Sequence, residues 1–220
     1  MIRAVFIGEG TSDTPLGDIV GQLLARHNID VHVSKPDFGR LSSKVQRDVS
    51  SKIAASLKLT TKPVDLFILH RDSDNARASD RKDEILRAVE LESPNSLHIA
   101  VVPIRMTEAW LVLDEKAIRT TAGNPRGRTP LNLPKAAEVE RRSDPKRILA
   151  DALITAADET GRRKRRIEQR FDDHRRRLLE ILDLDGPVTQ LSAWHDLLRQ
   201  VEEVAEILNN ETSTATRSFT

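Results

Sequence analysis

Residues 5–13 read VFIGEGTSD, the pattern of a strand that ends in a glycine-rich turn. An apolar run ends at Ile7, and Glu9 then stands between Gly8 and Gly10. A turn between a strand and a helix favours bare backbone amides when it binds phosphate, because an acidic side chain repels the anion. We therefore expect Glu9 to bind a metal ion or to move a proton beside one.

Short apolar runs alternate with helical patterns over the first half of the chain. The predicted strands read IRAVFI, IDVHV, VDLFILH and LHIAVVPI, and they begin at positions 2, 29, 64 and 97. Helical spacing of apolar residues follows each strand, over residues 13–27, 41–59, 77–92 and 107–119. Strands that alternate with helices of this length predict an α/β fold with a mainly parallel, Rossmann-like sheet and helices on both faces.

The composition changes after this α/β domain, which we place at residues 1–119. The sequence TAGNPRGRTPLNLP contains two Gly and three Pro, so residues 120–134 are predicted to be a linker or loop. A helical region follows over residues 135–208 and includes a basic helix from about residue 162 to 182. The polar residues 209–220 are predicted to be a disordered tail.

Charge and composition exclude several classes of protein. The chain carries 35 basic and 34 acidic residues, so its net charge does not drive it onto nucleic acid or membrane. It has no cysteine, which fits a reducing compartment and excludes thiolate chemistry. No apolar stretch approaches the roughly 20 residues of a membrane span or resembles a secretory leader. We expect a soluble, cytoplasmic protein with no membrane partner.

Three further acids follow later predicted strands. Asp72 and Asp74 lie in HRDSDNA after the third strand, and Glu108 lies in MTEAW after the fourth. In open parallel sheets the ligand crevice lies outside the carboxyl ends of the strands, where Glu9 is also expected. The four carboxylates therefore predict a site for one or two Mg²⁺ or Mn²⁺ ions, which would polarise a phosphoryl oxygen and activate water.

Each of these acids also has a structural alternative. Asp72 and Asp74 are residue types that favour turns, and Glu108 is an acid suited to the first turn of a helix. Asp13 is more typical of a helix cap than of a metal ligand.

Positive charges are available to hold an anionic substrate. Arg71 and Arg77 flank the acidic turn, and Lys35 follows the second predicted strand. Each can steady a phosphate, or can be a solvated surface charge.

A second basic feature lies late in the chain. Residues 161–177, GRRKRRIEQRFDDHRRR, carry nine Arg or Lys against three acids, and Arg163 and Arg166 are our candidates for phosphate contacts. Such a helix binds a nucleic-acid backbone without reading bases, although it can equally be a solvated face that pairs with acidic helices.

The combined motifs FIGEGTSD, LHRDSDNA and RMTEAWLVLD resemble the Toprim domain of topoisomerases, bacterial primases and overcoming-lysogenization-defect nucleases. Within that superfamily they most resemble a compact family of uncharacterised bacterial Toprim-related proteins. The resemblance covers residues 1–119 and implies that Glu9 is a general acid/base or metal ligand. It also implies that Asp72 and Asp74 bind Mg²⁺ and that Glu108 completes the site.

The resemblance implies a magnesium-dependent nuclease acting on DNA or RNA, with a role in phage defence by analogy. It also leaves open a non-catalytic or partner-activated subunit that binds metal or nucleotide and docks on an ATPase, and a homodimer. The chain has no Tyr, so strand passage through a tyrosyl intermediate on this polypeptide is excluded. A phosphatase with Asp72 as nucleophile is a weaker alternative, because that class carries its D-x-D after the first strand.

Overall fold

The computed structural model of the protein describes residues 1–217, with the side chains of residues 1–210. Within this range the strands β1 to β4 span Ile2–Ile7, Val31–Ser34, Leu66–His70 and Leu97–Val101. The α-helices α1 to α10 span Pro15–Ala25, Val49–Leu59, Ala78–Glu92, Glu108–Leu111, Glu115–Thr121, Ala136–Val139, Pro145–Ala157, Gly161–Gln169, Phe171–Glu180 and Ser192–Arg217. None of the helices in the described part of the chain has the length and apolar character needed to cross a membrane.

The chain divides into two compact units, which we name for their content. The sheet unit comprises Met1–Arg71, Ser79–Val102 and the described residues from Asp196 onward. The helical unit comprises Asp72–Ala78 and Pro103–His195. The domain borders predicted from the sequence, with a linker over residues 120–134, stay a prediction.

The sheet unit confirms the predicted α/β fold. Its strands form a parallel sheet in the order β2-β1-β3-β4, with Ala4 of β1 paired to Leu66 of β3. Strand β3 is buried along its whole length, as its continuous apolar run predicts. The chain leaves β1 toward β2 on one side and leaves β3 toward β4 on the other. The carboxyl ends of β1 and β3 therefore form the topological switch point, where such sheets bind ligands.

Helix α1 packs closely on β1, because a glycine faces the strand. A Cβ atom at Gly17 would lie 2.9 Å from Cβ of Phe6. Right-handed crossovers place α1 on one face of the sheet and α2 and α3 on the other. The loops that follow β1 and β3 thus stay at one edge of the sheet, free of crossing helices.

The helical unit is built around two tryptophans. The rings of Trp110 and Trp194 are both buried and meet edge to face, with centroids 5.1 Å apart. Helix α7 lies within the predicted helical region of residues 135–208, and it buries one apolar face made by Leu149, Ala152 and Leu153. Asp144 caps this helix by accepting a hydrogen bond from the backbone nitrogen of Arg147.

Two predicted helices differ from the observed ones because an aspartate caps a helix inside each pattern. Helix α2 begins at Val49 rather than at residue 41, since Oδ1 of Asp48 accepts a hydrogen bond from the nitrogen of Ser51 at 2.7 Å. The helix predicted over residues 107–119 is divided into α4 and α5, since Asp114 caps α5 through the nitrogen of Ala117. A side chain that satisfies the first free amides starts a new helix there.

The C-terminal half also differs from the prediction in two places. The basic helix is divided into α8 and α9 at Arg170, whose φ of −104° and ψ of 24° are not helical. Helix α10 continues to Arg217, through most of the segment 209–220 that we expected to be disordered. Elongation of a packed helix gains one hydrogen bond per added residue, which carries it into polar sequence. Residues 218–220 lie outside the described residues.

Candidate functional site

The turn after β1 is held by an internal carboxylate. Oδ2 of Asp13 accepts hydrogen bonds from the backbone nitrogens of Gly10 at 2.7 Å and Glu9 at 3.1 Å. Asp13 is itself only 3% exposed. The amides that would bind a phosphate in a glycine-rich loop are therefore engaged by Asp13. This residue fixes the turn that carries Glu9, while the residue that begins α1 is Pro15.

His70 completes the buried layer behind this turn. Its Nδ1 lies 3.0 Å from the carbonyl oxygen of Val101, so this nitrogen carries the proton and donates it. Its Nε2 lies 3.9 Å from Oδ2 of Asp13. Both side chains are buried, so His70 supports the turn from within and is not a surface ligand.

Glu9 lies beside two cationic side chains of the sheet unit. Its Oε1 is 3.3 Å from Nε of Arg71, and NH2 of Arg71 is 3.8 Å from Oε1 of Glu84. Nζ of Lys52, on α2, donates a hydrogen bond to the carbonyl oxygen of Gly8 at 2.8 Å. Burial lowers the pKa of Lys52, and the charge of Arg71 acts in the same direction, whereas the charge of Glu9 opposes it.

A cavity of about 200 Å³ opens next to Glu9 within the sheet unit. It is lined by Lys35, Phe38 and Lys52 together with the turn after β1. The predicted substrate residue Lys35 thus shares this cavity with Glu9, although its Nζ also pairs with Oδ2 of Asp18 at 2.6 Å. A second cavity of about 380 Å³ contains Glu9 as well and is lined by residues 41–47.

The acidic turn after β3 belongs to the helical unit and is joined to the loop after β4. Oδ1 of Asp72 accepts hydrogen bonds from the nitrogen of Thr107 at 2.9 Å and from its hydroxyl at 3.0 Å. The nitrogen of Asp74 donates to the carbonyl oxygen of Arg105 at 2.8 Å. The nitrogen of Arg105 in turn donates to the hydroxyl of Ser73 at 2.8 Å.

This pair of loops stores backbone strain. Asp74 has a φ of 50° and Arg105 a φ of 66°, a left-handed conformation that residues other than glycine seldom adopt. Strain of this kind persists only where surrounding contacts over-determine it, and it is concentrated at functional sites. The hydrogen bonds between the loop after β3 and the loop after β4 hold these residues in that conformation.

Glu108 is buried and forms an ion pair inside the helical unit. Its Oε1 accepts a hydrogen bond from Nε of Arg175 at 2.9 Å, while its Oε2 is buried with no hydrogen-bond partner. The side chains of Glu108 and Arg175 are 5% and 7% exposed. In this structure Glu108 therefore links α4 to α9, and its predicted role as a metal ligand stays a prediction.

The carboxylates fit a hydrated magnesium ion better than a closed protein cage. Among the described residues no group of three or more His, Asp or Glu is arranged to hold a metal ion. Mg²⁺ usually keeps several waters and binds one or two carboxylates plus substrate phosphates. Asp72 and Asp74 supply two carboxylates on one turn, the number that a magnesium ion commonly takes from a protein. The Asp72 and Asp74 pair is thus the part of the predicted set whose chemistry suits Mg²⁺ or Mn²⁺.

Three of the predicted substrate-binding arginines lie on the surface of the helical unit, whereas Arg71 belongs to the sheet unit. Arg77 lines a cavity of about 390 Å³ together with Arg105 and Arg141. Arg163 and Arg166 lie on α8, a helix with no buried residue. Arg163 pairs with Glu159 of the preceding segment at 3.0 Å.

Sequence reasoning missed several of these partners. Lys52 contacts the turn that carries Glu9, and Arg175 contacts Glu108, each from a helix distant in sequence that no local pattern marks. For Lys52, the sequence did offer one signal, namely Asp48. A helix cap at Asp48 starts α2 there, and the start of α2 determines which residues of this helix face strand β1.

In comparisons with protein-family models, curated proteins and solved structures, no match to this chain was found. The class of fold comes from the structure itself, which has a sheet unit with a parallel α/β sheet and a helical unit. The resemblance to Toprim domains rests on the sequence motifs.

Proposed function

We propose that the protein is a metal-dependent phosphodiester-cleaving enzyme that acts on DNA or RNA. The observation that carries this proposal is the position of Glu9 at the carboxyl end of β1, at the switch point of the sheet, beside Arg71 and Lys52. A carboxylate among cations at this edge suits proton transfer next to a bound phosphate. The Toprim resemblance supports the same reaction.

Glu9 is the residue that moves the proton in this proposal. Its side chain is 37% exposed, so water and substrate reach it, and Arg71 holds its carboxylate in place. Asp13 keeps the turn rigid by accepting the two backbone hydrogen bonds of Glu9 and Gly10. Lys52 and Arg71 stabilise the negative charge that develops on a phosphoryl group during cleavage.

Asp72 and Asp74 are the residues that would hold a divalent ion. When bound, Mg²⁺ or Mn²⁺ would polarise a phosphoryl oxygen and lower the pKa of water. Thr107 orients Asp72 through two hydrogen bonds, and the ion pair between Glu108 and Arg175 anchors the helix that begins beside Thr107. In our proposal Glu108 therefore supports the site and does not touch the substrate.

Helix α8 would hold the nucleic-acid backbone. Residues 162–166 are five consecutive cations, and all of them are exposed. Arg166 forms no ion pair within the part of the chain that the structure describes, so its charge is available to a phosphate. Contacts of this kind give salt-dependent binding without base specificity.

The test is cleavage of labelled plasmid, single-stranded DNA and structured RNA in Mg²⁺ or Mn²⁺. We expect Glu9→Gln and Asp74→Asn to lose activity by about 100-fold or more, which is typical for a general acid/base. The matched controls are Glu90→Gln, an exposed residue of the sheet unit, and Asp158→Asn, which has the same left-handed backbone as Asp74 with a φ of 54°. Equal activity in Asp74→Asn and Asp158→Asn would contradict the metal site.

A second candidate function is a partner-activated subunit that binds metal or nucleotide and docks on an ATPase. The observation that favours it is that two of the four predicted ligands, Glu9 and Glu108, each pair with an arginine, so a partner would have to release them before they could bind a metal ion. A purified protein that binds Mg²⁺ through Asp74 by calorimetry but cleaves none of the substrates would favour this candidate. Nuclease activity of the protein alone, lost in Glu9→Gln, would exclude it.

A further inference from the structure

We propose that the arginine-lined cavity of the helical unit is a binding site for the phosphodiester backbone of a nucleic-acid strand. The name arginine cavity refers here to the space lined by Arg77, Arg105 and Arg141 together with residues 73–76. The inference rests on the proposed function for its substrate class. It assigns a separate role, backbone capture, to Arg105 and Arg141, which take no part in the chemistry, whereas Asp74 on the cavity wall belongs to the proposed metal site.

Arg105 is held in place by contacts with the loop that follows β3. Its NH1 donates to Oδ1 of Asn75 at 2.9 Å and to the carbonyl oxygen of Asp74 at 3.3 Å. Its backbone is strained, with a φ of 66°, and its nitrogen is hydrogen-bonded to Ser73. A guanidinium has five N–H donors, and neither Nε nor NH2 of Arg105 has a partner among the described residues. Arg105 is thus a preorganised donor.

Arg141 adds a second guanidinium to the same cavity. It follows α6 and is exposed, and its side chain forms no ion pair with any described residue. Its neighbour Arg142 pairs with Oε2 of Glu138 at 2.8 Å and does not line the cavity. The charge of Arg142 is thus already compensated by Glu138, whereas that of its neighbour Arg141 is not compensated by any described residue.

Two acids, Asp74 and Glu140, also line the cavity, and Glu140 is engaged elsewhere. Oε2 of Glu140 accepts a hydrogen bond from the hydroxyl of Ser192 at 2.7 Å, and its Oε1 accepts one from the nitrogen of Ala193 at 3.0 Å. These donors belong to the first residues of α10, where the helix dipole favours a negative charge. Glu140 therefore satisfies the helix start, and Arg105 and Arg141 remain to attract an anion.

The chemistry of the cavity indicates its ligand. Arginine binds phosphate through a planar fork of donors, and Arg105 and Arg141 both line this cavity. The volume of about 390 Å³ lies at the lower end of the range for ligand sites, about 300–1,000 Å³. It accommodates a phosphate group with part of its sugar, as in one repeat of a strand.

The experiment measures fluorescence anisotropy of a short labelled single-stranded DNA with the full chain in EDTA, where no cleavage occurs. We expect Arg141→Gln to weaken binding about tenfold, as for loss of a charged hydrogen bond. The slope of the logarithm of the binding constant against the logarithm of the salt concentration should fall in magnitude by about 0.7, because one phosphate contact to a single strand contributes about that much. Arg142→Gln is the matched control, and its affinity should stay within about twofold of the native protein, because its charge is already paired.

Equal binding by Arg141→Gln and the native protein, or equal losses in the Arg141 and Arg142 variants, would overturn the proposal. Competition separates a strand from free phosphate: inorganic phosphate and a mononucleotide should displace the strand only weakly. A mononucleotide that binds as tightly as the strand, with the same dependence on Arg141, would overturn the assignment of a strand.

The outcome is independent of cleavage. Binding that depends on Arg141 in a protein that cleaves no substrate in any metal would contradict the proposed nuclease and support the backbone site. Cleavage that is lost in Asp74→Asn but unchanged in Arg141→Gln, with unchanged binding, would support the nuclease and contradict the backbone site.

Discussion

Nε of Arg175 on α9 donates a hydrogen bond to Oε1 of Glu108 on α4 at 2.9 Å, in the interior of the helical unit. Both side chains are almost fully buried, and Oε2 of Glu108 is left without a hydrogen-bond partner. A buried charge that loses its partner is uncompensated and costs far more than a surface ion pair contributes. Removal of either partner should therefore destabilise the helical unit.

We expect Arg175→Gln to lower the free energy of unfolding by roughly 3–5 kcal/mol, because it leaves the Glu108 carboxylate buried without a cation. Arg176→Gln is the control, since Arg176 is exposed and pairs with Glu180 on the surface, and its loss should be at most about 1 kcal/mol. Urea denaturation followed by circular dichroism measures both. Similar losses of unfolding free energy in the two variants would show that the buried ion pair contributes no more to stability than the surface pair.

Two glycines of α1 should respond in opposite directions to substitution by alanine. A Cβ atom at Gly17 would lie 2.9 Å from Phe6, so Gly17→Ala forces overpacking and should destabilise the protein by about 1–3 kcal/mol. At Gly21 the nearest atom would be Cγ2 of Val33 at 3.5 Å, an ordinary contact. Gly21→Ala should therefore stabilise the helix by about 0.5–1 kcal/mol. Thermal unfolding of the two variants gives the signs, and a stabilising Gly17→Ala would contradict the close packing of α1.

The ion pair between Asp65 and Arg3 predicts a loss of stability in acid. Hydrogen bonds from Arg3 lower the pKa of Asp65 below its ordinary value of 3.8. A carboxylate with a lowered pKa in the folded state contributes its full stabilisation above its unfolded pKa and loses it as the pH falls through the folded pKa. The stability difference between the native protein and Asp65→Asn should therefore be constant near neutral pH and shrink below about pH 3.8. A difference that grows in acid would contradict the direction of the pKa shift.

The sequence was sufficient for the fold because its pattern is local. The continuous apolar run of β3 and the helical spacing of α7 identify buried elements without reference to the rest of the chain. Helix borders were less predictable, since Asp48 and Asp114 each start a helix inside a longer apolar pattern. Both are favourable cap residues, so this signal was present in the sequence, but the apolar spacing competes with it.

The candidate site was less predictable because its contacts join residues far apart in sequence. Glu9 and Asp72 follow strands that periodicity alone identifies, so the sequence places them at the carboxyl ends of β1 and β3. Nothing local indicates that Asp13 would bond the amides beside Glu9 or that Glu108 would pair with Arg175. These partners are set by tertiary packing, and they decide which acids remain available to a metal ion.

Helix α8 offers the last prediction, which concerns nucleic-acid binding. Replacing Arg165 and Arg166 together by Gln, two exposed residues with no ion pair among the described residues, should remove two phosphate contacts and reduce the salt dependence of log K for duplex DNA by about 1.8. The matched control replaces Arg176 and Arg177 of α9, whose side chains both lie near Glu180, at 3.1 and 3.3 Å. Because that carboxylate already compensates part of their charge, the control should change the salt dependence much less. Titrations at several salt concentrations, in EDTA, measure both double variants. Equal changes would show that α8 is only a solvated face, as the surface ion pair between Arg163 and Glu159 would allow.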